Sequence, residues 1–151
     1  MVYQKAQGST EYLVLLAVVL IIALVAIALL GFFPGLSTDA KVTQSASYWK
    51  AARPFAIIDH RVSGGDATLI MQNMDASGTL SVTGIGLGAN ATTLSSITFA
   101  PGEIKNISNL AAPTGSAGSV YDLAVVINFT SANGLTQSQM GGSKTLVGKY
   151  V

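Results

Sequence analysis

The sequence predicts an α+β chain: a long N-terminal apolar α-helix followed by a small antiparallel β-sandwich head of immunoglobulin-like type. Three observations carry that prediction. From Tyr12 to Phe33 every residue but Gly31 is hydrophobic, a helix-length run with no polar face. From Phe55 onward, short runs of β-formers alternate with clusters of Gly, Asn, Asp and Pro. The 151 residues are 50% hydrophobic but only 10% charged, far below the roughly 25% charge of an ordinary soluble domain.

Composition also removes whole classes of function. Eight Lys and Arg stand against seven Asp and Glu, a net charge of +1, so no basic patch large enough to neutralise a phosphate backbone is available and no nucleic-acid partner is expected. The chain has no Cys, which excludes disulfide bridges, thiol catalysis and thiolate metal sites.

The apolar run lies within a 27-residue stretch, between Glu11 and Asp39, that holds no charge. Its 22 residues from Tyr12 to Phe33, at about 1.5 Å per residue, match the roughly 30 Å hydrocarbon core of a bilayer. The rest of the chain is too short to wrap a helix that is apolar on every side, so lipid or identical neighbours must cover it. Lys5 is the basic residue that holds the amino terminus on the cytoplasmic side. Ser9 is the expected N-cap, and Glu11 in the first turn complements the helix dipole. Pro34 and Gly35 predict a kink or interruption. Beyond them, Val42, Ser45, Ala46, Trp49 and Ala52 recur at helical spacing, with Asp39, Lys41, Gln44 and Lys50 off that face. Arg53 precedes Pro54 and is biased to extended geometry, which ends the helix there. Trp49 is read as a knob packing the stalk against the head.

The segment Lys5-Ala6-Gln7-Gly8-Ser9-Thr10-Glu11-Tyr12, opening the apolar run, resembles the archaeal type IV pilins with a class III signal peptide, in particular their adhesion-type members. The stretch Tyr48 to Ile57, YWKAARPFAI, is similar to the stalk-to-head junction of the same family. The resemblance implies that a prepilin peptidase cuts between Ala6 and Gln7, with Lys5 before the cut. Glu11 then becomes the fifth residue of the mature chain, where type IV pilins carry a glutamate, and Tyr12 follows it. Cutting after Gly8 would place Leu13 there instead. The Ala before the cut departs from the commoner Gly. The implied domains are a leader at 1–6, a helix at 7–53 that is transmembrane before assembly and filament core afterwards, and a head at 54–151. The implied partners are identical subunits, the prepilin peptidase, and the pilus assembly ATPase with its membrane platform. In assembly, Glu11 is expected to pair with a neighbouring subunit's new amino terminus.

The head reads as seven strand runs: Phe55 to Val62, Ala67 to Met74, Thr79 to Ile85, Leu94 to Phe99, Ile104 to Leu110, Val120 to Thr130 and Lys144 to Tyr150. Alternation is clearest in YDLAVVINFT, where Leu123, Val125, Ile127 and Phe129 share one face. Ala124 and Val126 on the other face predict a strand that is central or covered on both sides. Six or seven strands at this spacing argue for the sandwich.

The head offers little chemistry. His60, flanked by Asp59 and Arg61, reads as an exposed strand residue, and no nucleophile elbow surrounds any Ser. The segment Gly84 to Gly88, GIGLG, has no helix after it and reads as a loop or bulged strand rather than a phosphate cradle. Asp66, Asp75, Glu103 and Asp122 lack calcium-loop spacing. No catalytic residue, metal site or cofactor is expected. Three sequons are present, at Asn90, Asn106 and Asn128, a density consistent with an externalised, glycosylated surface. Asn90, beside a Gly-rich loop, reads as the best acceptor, and Asn128, inside the most apolar strand, as the weakest.

The resulting expectation is a structural subunit of an extracellular filament, its precursor held in the cytoplasmic membrane with the head outside. The alternative is a single-pass, membrane-anchored surface binding protein that does not polymerise. A cell-surface enzyme would need a polar constellation that the sequence lacks.

Overall fold

The computed structural model describes residues 4–151; the side chains at 4–7, 9 and 31–36 are outside that description. The chain is α+β, an N-terminal apolar helix followed by antiparallel sheets. It falls into two compact units that meet after Asp39. Of the leader, Met1 to Tyr3 lie outside the described residues.

Helix α1 spans Gln4–Ala51, 48 residues. It starts earlier than the Ser9 cap predicts, so Ser9 is interior and no acidic residue stands in the first turn. Lys5, Ala6 and Gln7 are good helix formers, and once a helix is nucleated each further residue adds a hydrogen bond at little cost. The helix also runs through Pro34 and Gly35, so it is not interrupted there. A proline removes one intrahelical bond, and long helical stretches on both sides outweigh that loss.

From Ala40 on, the helix belongs to the same compact unit as the strands. The face read from the sequence is the one that packs: Ser45, Trp49 and Ala52 are buried, Val42 and Ala46 half-buried, and Asp39, Lys41, Gln44 and Lys50 exposed. Trp49, only 1% exposed, joins the core of the head. Its indole N–H donates to the Thr145 carbonyl at 3.2 Å. The Ser45 hydroxyl donates to the same carbonyl at 2.8 Å and accepts from the Val147 amide at 2.9 Å.

The head contains nine strands: β1 Phe55–Ser63, β2 Asp66–Asn73, β3 Leu80–Leu87, β4 Asn90–Phe99, β5 Ile104–Ala111, β6 Val120–Leu123, β7 Val125–Thr130, β8 Thr136–Met140 and β9 Leu146–Lys149. They form three antiparallel sheets, ordered β1-β2-β5, β4-β3-β7-β8 and β6-β9. Their inward residues join a single hydrophobic core. Phe55 sits at its centre, with the Phe99 and Phe129 rings edge-on at 5.3 and 5.4 Å, an arrangement favoured by the ring quadrupoles.

Most strand ends differ from the sequence reading by one or two residues, β4 starts four residues earlier, at Asn90 rather than Leu94, and two strands differ in kind. The run Val120 to Thr130 is two strands, because the Ala124 carbonyl accepts from the Gly88 amide at 2.8 Å; β6 pairs with β9 while β7 joins β3. Leu123, Val125, Ile127 and Phe129 do share the buried face. β7 is central in its sheet, but its other face is open, with Ala124 and Asn128 exposed and Val126 half-buried. Strand β8, TQSQM, was not foreseen. It has no apolar alternation, and its ladder to β7 is made of backbone bonds that hydropathy does not report.

One side chain completes the join between β1 and β8. The Gln139 carboxamide accepts from the Phe55 amide at 2.9 Å and donates to the Phe55 carbonyl at 2.8 Å, as a peptide unit of a neighbouring strand would. Asn73, fully buried, plays a similar part at the other end. Its Nδ2 donates to the Gly78 and Phe99 carbonyls at 3.2 and 3.1 Å, and its Oδ1 accepts from the Asp75 amide at 2.9 Å. Replacing Gln139 by Ala strips the Phe55 backbone of two partners, and an unmet buried polar group costs about 1–3 kcal/mol. Denaturation of the detergent-solubilised chain, followed by Trp49 fluorescence, is expected to show a loss of that size; an unchanged midpoint would refute the role.

Candidate functional site

The largest chemical anomaly is the surface of α1. Thr10–Leu30 is long and apolar enough to cross a membrane, and none of it is buried within the chain. Its large hydrophobic side chains between Tyr12 and Leu30 are between 47% (Leu16) and 70% (Leu30) exposed, on every side of the helix. Burying a Leu, Ile or Val contributes roughly 1.5–3 kcal/mol, so leaving this surface in water forfeits tens of kcal/mol, against a net stability of about 5–15 kcal/mol for a typical domain. A cover from outside the single chain is a thermodynamic requirement. Glu11 is exposed at the mouth of this surface, beside Tyr12 at 65% exposure. Lys5, Ala6 and Gln7 lie in the first turns of α1.

At its other end, α1 is fixed by fit as well as by hydrogen bonds. A Cβ placed on Gly141 would lie 2.6 Å from Trp49 Cζ2 and would also strike the Lys144 carbonyl. The indole thus occupies the space that only a glycine leaves open.

His60 is not the exposed residue that its polar neighbours suggest. A register shift between Ile57 and Asp59 leaves it half-buried, with its ring edge-on to Tyr121 at 5.8 Å. Its Nε2 is enclosed with no hydrogen-bond partner. Burial lowers its pKa from the ordinary 6.5, and the carboxylate of Asp59 offsets part of that shift. Tyr121 packs on Tyr150 at 5.1 Å and over Gly148. Burial, then Asp59 and Tyr150, push its hydroxyl up to about 12. The three rings pack edge-on as one aromatic cluster.

A cleft of about 530 Å³ is lined by Arg53, Asp75, Ser77, Asn133 and Gln137 over Leu80 and Phe129. The Arg53 guanidinium donates to the Met74 carbonyl at 2.9 Å, and the Asp75 carboxylate accepts from the Ser77 amide at 2.8 Å. Hydrogen bonds from Ser77 hold the Asp75 carboxyl below its usual range, which makes it a weak base for activating a hydroxyl. No group of three His, Asp or Glu side chains placed to hold a metal occurs among the described residues.

The three sequons fall on different surfaces. Asn90 opens β4 opposite Leu87 and is half-buried; Asn106 is exposed on β5; Asn128 is exposed on the open face of β7. The GIGLG segment lies mostly in β3, which carries a register shift between Val82 and Gly84. It is a bulged strand, as read from the sequence.

Two measurements check these assignments. Folded His60 binds protons less readily than unfolded His60, so its contribution to stability is complete above about pH 6.5 and is lost as the pH falls below that value. The melting temperature of the full chain is expected to drop between pH 7 and pH 5, and the drop should shrink in His60→Phe. Gly141→Ala, which collides with Trp49, is expected to cost about 1–3 kcal/mol; a neutral result would remove the clamp. Compared with known proteins, the chain matches no family model and no curated protein.

Proposed function

We propose that the protein is a structural, non-catalytic subunit of an archaeal type IV pilus of the adhesion type. The observation that carries this reading is the all-round exposure of the apolar side chains from Tyr12 to Leu30, which demands lipid before assembly and parallel copies of the same helix afterwards. Cleavage between Ala6 and Gln7 would make Gln7 the first residue of the helix and bring Glu11 to its fifth position, close to the helix N-terminus, where a carboxylate complements the dipole and can meet a neighbour's new amino terminus. Residues 54–151 are read as an immunoglobulin-like β-sandwich; a three-stranded and a four-stranded antiparallel sheet sharing one core support that reading. Heads would form the outer sheath of an extracellular filament used in adhesion or surface contact. The partners are identical subunits, the prepilin peptidase, the assembly ATPase and its membrane platform.

The second reading, a membrane-anchored binding protein that stays monomeric, is favoured by the 530 Å³ cleft beside Arg53. It has no use for a trimmed terminus. Amino-terminal sequencing of filaments sheared from cells is expected to begin at Gln7; an intact Met1 on a detergent-soluble monomer sinks the pilin reading. Glu11→Ala is expected to abolish filaments while leaving membrane insertion intact.

A further inference from the structure

Two sequence features that the filament reading leaves unused meet on one surface. Strands β3, β4, β7 and β8 contain no charged residue and no His, whereas β1, β2 and β5 carry Asp59, His60, Arg61, Asp66 and Lys105. On the open face of the uncharged sheet, one row across the strands reads Thr93, Gly84, Asn128, Ser138, and the next reads Ala91, Gly86, Val126, Met140. The two glycines floor a groove of about 510 Å³, bordered by the amide of Asn128 and the hydroxyls of Thr83 and Thr93.

At Gly86 the bareness of this strip is not dictated by the fold, whereas Gly84 is buried under closer contacts. Neither glycine has a positive φ. A Cβ on Gly86 would meet its nearest neighbours at 3.6 Å, an ordinary contact, so a side chain fits there. At Gly84 the nearest atom is the Thr92 carbonyl at 3.2 Å, and Asn128 Nδ2 comes next at 3.7 Å. The Asn128 amide thus stands beside the empty strip with a fixed orientation. Its Oδ1 accepts from the Ser138 hydroxyl at 2.6 Å, which leaves Nδ2 as the free end. Asn128 is exposed, and Thr130, the hydroxyl residue of its sequon, lies on the same face two positions on.

We propose that Asn128 carries an N-linked saccharide whose first sugars lie along the strip over Gly84 and Gly86. In the attachment, Nδ2 attacks the anomeric carbon of a lipid-phosphate-linked saccharide. The N–C bond forms, the bond from that carbon to phosphate oxygen breaks, the lipid phosphate leaves with the electron pair, and the amide proton passes to solvent. A neutral sugar suits this face: its C–H side packs on the glycine backbone and Val126, and its hydroxyls meet those of Thr83 and Thr93. The proposal rests on the reading that the head is outside the cell.

The test uses filaments or detergent-solubilised full chain from the native cells. Mass spectrometry is expected to find the peptide containing Asn128 modified, and to find the modification lost in both Thr130→Ala and Asn128→Gln; the second keeps a surface amide and guards against misfolding. Gly86→Thr fills the groove without touching the sequon, so attachment should persist while release of the saccharide by an Asn–sugar amidase becomes severalfold faster. An unmodified Asn128 on chains that begin at Gln7 overturns this inference and leaves the filament reading standing. Unmodified chains that retain Met1 overturn both. Unchanged release in Gly86→Thr, or crosslinks that seat a second copy of the chain in the groove, refute the placement of the sugar.

Discussion

The Thr145 carbonyl, shared by the Trp49 indole and the Ser45 hydroxyl, is the point on which the rest of the head depends. It joins the last turns of a helix to a strand about a hundred positions away and brings the largest side chain of the protein into the core. Trp49 then occupies the space beside Gly141. The sheets close over an indole that the helix supplies, so the head is not self-sufficient without residues 40–51.

The same helix sets the energetic problem that the molecule must solve. Its C-terminal part has one buried face and one wet face, as a helix on a soluble domain should. Between Thr10 and Leu30 it has no wet face at all. None of the span Thr10–Leu30 is buried within the chain. On the proposed reading the missing cover is intermolecular. A bilayer and a bundle of identical helices both satisfy it, and the backbone is content in either because its hydrogen bonds are internal.

The head shows how polar groups are disposed when a core must close without charge. Gln139 and Asn73 use carboxamides as substitutes for peptide units, each meeting backbone donors and acceptors that strand pairing leaves over. Charges are confined to other surfaces, which leaves one four-stranded sheet wholly uncharged. In the cluster with Tyr150, burial favours the neutral forms of His60 and Tyr121.

What the sequence determined by itself was whatever periodicity and run length encode. The apolar helix, its amphipathic continuation through Val42, Ser45, Ala46, Trp49 and Ala52, and the buried alternation of Leu123, Val125, Ile127 and Phe129 follow from side-chain spacing, because solvent sorts side chains by hydropathy. The helix through Pro34 was decided by the long helical stretches on both sides of it, and the split at Ala124 and the whole of β8 by backbone hydrogen bonds to distant partners, which leave no mark on local composition. So was the burial of His60, where a register shift between Ile57 and Asp59 moved a polar-looking residue against Tyr121. Asn128 is the sharpest case. Its apolar neighbours in sequence alternate to the opposite face, and only the pairing of β7 with β3 sets its amide beside the empty strip over Gly84.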